Sequence, residues 1–99
     1  MRLEYHPAVQ RDFNDALDYY ESKAGLHVAD RFEAEFRASV AALKIGSTRF
    51  PFYQGSQLFR RVRLKNFPYV IVYRENPAVI RITLLKHERR HPLYEMQRW

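Results

Sequence analysis

Through Leu58–Lys86, LFRRVRLKNFPYVIVYRENPAVIRITLLK, apolar and β-branched residues recur with a period near two. Turn-formers cut the stretch in three, at Lys65-Asn66 before Phe67-Pro68 and again at Asn76-Pro77. The pattern predicts three strands in an antiparallel meander. In the first strand Leu58, Val62 and Leu64 share a face on which Arg60 is out of place, while Phe59, Arg61, Arg63 and Lys65 share the other. The third, Ala78–Lys86, sets Ile80, Ile82 and Leu84 against Val79, Arg81, Thr83 and Leu85. The middle strand, Phe67–Arg74, is apolar or aromatic on both faces, as suits a central strand covered on both sides. Such a meander has one apolar face that needs a cover and a second face that is partly basic.

Upstream the period lengthens. Arg2–His6 alternates briefly, enough for a strand at the edge of the sheet, and Pro7 suits the first turn of a helix. Val9, Phe13, Ala16, Leu17 and Tyr20 then form an amphipathic stripe, with Arg11, Asp12, Asp15 and Asp18 on the remaining, solvated arc. Gly25 is expected to end this helix in a left-handed cap. A second helix is predicted from about Leu26 to Ile45, with Phe32, Phe36, Val40 and Leu43 as its stripe; Ala29 and the alanines from Ala38 to Ala42 permit close approach. A link of about three residues implies an antiparallel helical hairpin, which supplies the missing cover. Gly46–Gln57 reads as an irregular connection whose Phe50-Pro51-Phe52-Tyr53 packs locally, and Pro92 breaks His87–Trp99 into a loop followed by a short helix or coil. The expected fold is α+β: an antiparallel sheet, made of the N-terminal strand and the meander, with the hairpin on one face. Its core holds Phe13, Leu17, Phe32, Phe36, Val62, Ile80 and Ile82, and residues 1–99 form one domain.

Composition narrows the function classes. With no cysteine, disulfides and thiolate metal sites are excluded and a cytoplasmic location fits. The apolar run Phe67–Tyr73 is too short to cross a bilayer, and MRLEYHP lacks a signal-peptide core. The net charge of +6 is uneven: residues 1–57 hold 7 basic and 8 acidic side chains, residues 58–99 hold 10 and 3. The meander half therefore favours an anionic partner, either nucleic acid or an acidic protein segment.

His87-Glu88-Arg89-Arg90-His91 spells H-E-x-x-H, which binds zinc when both histidines share one face of a stable helix. Here it follows a strand directly, Pro92 disfavours helix at His91, two arginines repel a cation, and no third ligand follows. No metal or other cofactor is expected. Phosphate-loop and nucleophile-elbow patterns are absent too. The basic set remains: Arg61 and Arg63 from one strand, Arg81 from another, then His87, Arg89, Arg90 and Tyr94. Arginines so arranged hold phosphates bidentately, and a neighbouring His or Tyr moves a proton in RNA cleavage. They suit the acidic groups of a partner protein equally well, and the residues leave both readings open.

The order strand–helix–helix–three strands, with F-P-Y-x-I-x-Y-R at Phe67–Arg74 and H-x-R-R-x-P-x-Y at His87–Tyr94, resembles the RelE/ParE superfamily of bacterial toxins. The opening Y-H-P and the helix carrying Tyr19-Tyr20-Glu21 look like its ParE-type members, and the likeness spans essentially the whole chain. It implies the toxin of a type II toxin–antitoxin pair that supports plasmid stabilization, neutralised by a cognate antitoxin in a hetero-oligomer, with no membrane partner. ParE-like members poison DNA gyrase without a recognised active site; RelE-like members cut messenger RNA on the ribosome. For a nuclease the resemblance implies Arg61, Arg63, His87, Arg90 and Tyr94 as catalytic. For target or antitoxin binding it implies Arg61, Arg63, Arg81, Arg89, Arg90 and Tyr94. The RelE type also carries an arginine just after the first tyrosine of its middle-strand Y-x-x-x-Y, where this chain has Val70. That departure favours the gyrase-directed reading, with ribosome-dependent RNA cleavage as the alternative.

Overall fold

Four strands form one sheet: β1 (Arg2–Tyr5), β2 (Arg60–Arg63), β3 (Tyr69–Glu75) and β4 (Val79–His87), in the order β1-β4-β3-β2. The structure, a computed structural model, describes residues 2–89 and 98. The meander β2-β3-β4 is antiparallel as expected, but β1 runs parallel to β4, with Leu3 opposite Ile80 and Tyr5 opposite Ile82, so the sheet is mixed. The reason is connectivity. The helical hairpin ends at Ser47, beside Glu75 and so at the end of the sheet where the N-terminal strand begins. β2 therefore runs in the direction of β1, and two antiparallel steps leave β4 parallel to it.

Helices α1 (Val9–Ala24) and α2 (Leu26–Gly46) cover one face. Their link is Gly25 alone, shorter than the spacing suggested. Its φ of 92° is positive, but its ψ of 171° is not that of a left-handed helical cap, and the extended half-turn starts α2 at once. A side chain at this φ is strained, so the tight hairpin depends on glycine. Pro7 lies in the turn ahead of α1 rather than in its first turn, and His6 closes that turn: its Nδ1 accepts the Ala8 N–H at 3.0 Å. Burial, with Arg98 and Arg81 nearby, holds the His6 pKa below its ordinary value and keeps that acceptor neutral. Stability from this contact is intact above the unfolded pKa and is lost as pH falls through the folded one.

Ala29, Phe32, Phe36, Val40 and Leu43 are the buried stripe of α2, while Ala38 and Ala41 face solvent. They meet Val62, Leu64, Ile71, Tyr73, Ile80, Ile82 and Leu85 from the sheet, with Phe13, Leu17 and Tyr20 of α1 half-buried against them. Of the seven anticipated core residues, Phe32, Phe36, Val62, Ile80 and Ile82 are buried in this cluster, and Phe13 and Leu17 pack half-buried against it.

Leu84 does not. The register places Tyr73 opposite Ile82 but Val72 opposite Leu84, so Thr83 is an extra residue in β4. This β-bulge inverts the alternation beyond it, turning Leu85 toward the helices and Leu84 to the other face. There Leu84 joins Tyr53, Phe59, Val70 and Val72 in a second, smaller cluster under the Phe50–Phe59 connection. Two clusters explain why β3 is apolar on both sides. The aromatic run divides accordingly: Phe50 leans on the first cluster, Tyr53 is buried in the second, and Phe52 stays exposed beneath the Arg60 guanidinium.

The bulge also opens the outer edge of β4 where β1 ends. Asp12 of α1 fills the gap, with Oδ2 accepting the Leu85 N–H at 3.2 Å. Arg98 clamps both oxygens of Asp12, at 2.6 and 3.1 Å, and donates to the Thr83 carbonyl at 3.3 Å. Asp12 is therefore a buried ion-pair partner, not a member of the solvated arc with Asp15 and Asp18.

At the opposite end of the helix-covered face, Arg60 resolves its apparent misplacement. It pairs with Glu75 at 3.1 Å and donates to the Phe50 carbonyl at 2.6 Å, while Ser47 hydrogen-bonds the other Glu75 oxygen. Beside them the fully buried Tyr73 hydroxyl donates to the Ser47 carbonyl. Burial and the Glu75 carboxylate push the Tyr73 pKa up to about 12. The native state then keeps a proton that the unfolded chain releases from pH 10 upward, so stability is expected to fall as pH rises through this window. Tyr73→Phe is expected to flatten that alkaline limb in urea unfolding, at a neutral-pH cost of about 1 kcal/mol for the lost hydrogen bond.

Candidate functional site

The face of the sheet away from the helices carries the charge that the sequence concentrates in its second half. Strand pairing arranges it in rows. Arg63, Val70 and Lys86 lie side by side across β2, β3 and β4; Arg61, Val72 and Leu84 form the next row. Further along, Glu4, Arg81 and Arg74 make a third row across β1, β4 and β3. Arg61, Arg63 and Arg81 thus share one face, as the alternation predicts, though Arg81 stands at the other end from Arg63.

His87 is not with them. It pairs with Tyr69 on the helix side, where the two rings meet edge to face at 5.3 Å, and it borders the cleft of Asp12, Asp15 and Tyr19. The sheet therefore separates this imidazole from Arg61 and Arg63. Its Nδ1 accepts the Arg89 N–H at 3.1 Å, and Arg89 itself is exposed. Arg90 and Tyr94 lie outside the described residues. His87 ends a strand, so the H-E-x-x-H spacing does not begin on a helix, and among the described residues no group of three metal-ligating side chains occurs.

Charges on the open face are partly answered from within. Glu88 takes the Arg63 guanidinium, which also donates to the Leu64 carbonyl at 2.8 Å. The alternation assigns Lys86 to no face, because it ends the expected strand. The bulge turns it onto this face, where it is 2 % exposed, with Nζ 3.5 Å from the Glu88 carbonyl and 5.8 Å from the Tyr53 ring centre. Two cations thus flank Val70, and Val70 itself is buried and apolar. No sequence period signals Lys86, because its orientation depends on one inserted residue.

A second feature is the outer edge of β1. Arg2 and His6 donate inward to the Ala78 and Ile82 carbonyls at 2.9 and 2.8 Å, so the intervening Leu3 and Tyr5 direct their backbone groups outward. Among the described residues nothing pairs with them. Beside this edge runs a groove of about 400 Å³ lined by Tyr5, Val9, Phe13, Phe36 and Arg37, continued along Val40 and Lys44. Tyr5 is 46 % exposed, and burial of its phenol raises the pKa against the opposing Arg37 charge.

A parallel N-terminal strand, a helical hairpin and an antiparallel meander with a basic open face define a ParE-like member of the RelE/ParE superfamily. Residues 3–92 match the family described as the ParE toxin of the type II toxin–antitoxin system parDE, and the chain belongs to that family. A solved chain of the chromosomal ParDE TA system from P. aeruginosa shares the fold, with a TM-score of 0.77 at 17 % identity over 88 % of this chain and 95 % of that one. No curated protein sequence matches. Among the described residues, no helix is long and apolar enough to cross a membrane.

Proposed function

We propose that this toxin acts on DNA gyrase and is silenced by a cognate antitoxin that folds onto it. The observation that supports the choice of target is the division, by the sheet, of the nuclease candidates among the described residues. Arg61 and Arg63 project from one face and His87 from the other, and Val70 occupies the position between Arg63 and Lys86. In-line attack by a ribose hydroxyl requires a proton acceptor within hydrogen-bond reach of that hydroxyl, beside the phosphate that the arginines hold. His87 cannot serve that phosphate from the opposite side of the sheet. Inhibition by binding demands no such convergence. It needs a rigid scaffold and a charged surface, and Arg61, Arg63, Arg81 and Arg89 supply the charge among the described residues.

Expression of the toxin is expected to halt replication and induce the DNA-damage response while translation continues. Translation arrest with transcripts cut at ribosomal positions, and with replication intact, would reverse the assignment.

The antitoxin reading rests on the β1 edge and its groove. An extended segment adds to the outward backbone groups of Leu3 and Tyr5, and apolar side chains enter the groove beside Phe36. Acidic residues in the same segment meet Arg37 and Lys44 on its rim. Charge at the rim accelerates encounter, whereas buried apolar anchors set the lifetime of the complex. Rising salt is therefore expected to slow association strongly and to leave dissociation nearly constant in stopped-flow measurements. An association rate indifferent to salt would remove Arg37 and Lys44 from this interface.

A further inference from the structure

Of the three arginines on β2, two are held within the molecule. Arg60 pairs with Glu75 and donates to the Phe50 carbonyl; Arg63 pairs with Glu88 and donates to the Leu64 carbonyl. The Arg61 side chain makes no hydrogen bond or ion pair among the described residues, although it is half-buried. Its backbone is fixed by the Arg61 N–H, which donates to the Pro51 carbonyl at 3.1 Å. Across the sheet it stands opposite Val72, with Leu84 next in the row, and both are fully buried. Phe59, two positions earlier on the same side, is buried as well. Five guanidinium donors thus border an apolar row whose described residues offer them no acceptor. Nor do the neighbours supply a second open cation. Arg63 already holds a carboxylate, and Lys86 is buried. The Arg61 position therefore presents one open fork, not the series of accessible cations along which a nucleic-acid backbone binds.

We infer, resting on the gyrase reading, that Arg61 is the anchor of the charged face and takes one aspartate or glutamate carboxylate of gyrase. A planar guanidinium grips a planar carboxylate through two parallel hydrogen bonds. The apolar row beside Arg61 sheds water once a partner covers it, and arginines in such surroundings dominate protein interfaces. Half-burial also leaves the side chain less freedom to lose on binding. Arg63 is more exposed and occupied by Glu88, so it contributes field and not a new bond.

The test is the binding kinetics of the full-length toxin on purified DNA gyrase, by biolayer interferometry, with and without a bound DNA duplex. Arg61→Gln is expected to weaken binding by about thirtyfold, almost wholly through faster dissociation. Arg63→Gln is expected to slow association and to change dissociation far less. Arg61→Lys keeps the charge without the fork and is expected to fall between wild type and Arg61→Gln. It also keeps the readout should Arg61→Gln compromise folding. Losses of the same size with and without DNA assign the occupant to a protein carboxylate. A loss seen only with DNA would assign it to a phosphate and overturn the inference. Equal dissociation rates for the Arg61→Gln and Arg63→Gln variants would do so too. Wild-type toxin that does not bind gyrase would overturn the gyrase reading and the anchor with it. Tight binding that neither Arg61 variant alters would overturn the anchor alone.

Discussion

Phe32→Ala is expected to remove about 3–5 kcal/mol from the free energy of unfolding, the largest loss from any single side chain in the helical layer. The Phe32 side chain is fully buried at the centre of the first cluster. Its ring lies 5.2 Å from each of Tyr20, Phe67 and Tyr69 and 6.1 Å from Phe13, so it joins α1, α2 and the meander at one point. Truncation there leaves a cavity ringed by stiff aromatic groups that collapse poorly, which puts the cost toward the upper end of the range. Phe36, one turn away, is the natural control. It is 9 % exposed at the margin of the β1 groove, where solvent or shifted side chains relieve part of the void. Phe36→Ala is expected to cost less, though still well above 1 kcal/mol. Global stabilities of small domains are about 5–15 kcal/mol, so the Phe32 variant stands close to the folding threshold. Equal and small effects at both positions in urea unfolding would mean that the hairpin does not seal this face.

Asp12→Ala is expected to cost about 3 kcal/mol, nearly as much as a core aromatic. The Asp12 carboxylate is only 7 % exposed and answers three donors at once: two from Arg98 and the Leu85 N–H. Its removal leaves a buried backbone donor without its acceptor and takes from the Arg98 guanidinium the carboxylate that clamps it, and both penalties fall on the same spot. Arg98→Ala removes the cation but leaves Asp12 its Leu85 contact, so its effect is expected to be smaller. A double-mutant cycle between the two is expected to return a coupling above 1 kcal/mol, which exposed ion pairs rarely reach. Additive single effects would show that Arg98 is dispensable to the β4 edge. The clamp also ties the far C-terminus to the bulge, and through the bulge to the placement of Lys86 on the open face. Loss of the pair is therefore expected to disturb the charged face as well as stability, detectable as altered NMR shifts around Val70 and Lys86.

Most of the architecture is legible in the amino-acid sequence because it rests on periodicity. A spacing of three and four places Phe32, Phe36, Val40 and Leu43 on one stripe, and a spacing of two separates Val62 and Leu64 from Arg61 and Arg63. Burial of such stripes leaves few arrangements open, and the helical hairpin over a meander is the one the chain adopts. The shared face of Arg61, Arg63 and Arg81 follows from the same local rule.

What the sequence leaves undecided depends on residues distant along the chain. One extra residue at Thr83 reverses every side chain after it, and local pattern does not record it, because Leu84 and Leu85 are equally apolar. That reversal, not composition, sends Lys86 to the open face and leaves His87 across the sheet from the arginines it would have to assist. Asp12 reads as one more carboxylate on a polar arc until Arg98, 86 positions later, closes on it. Periodicity is a local property and determines which residues are buried. Register, bulges and ion pairs join remote segments, and only tertiary packing decides which functional groups meet.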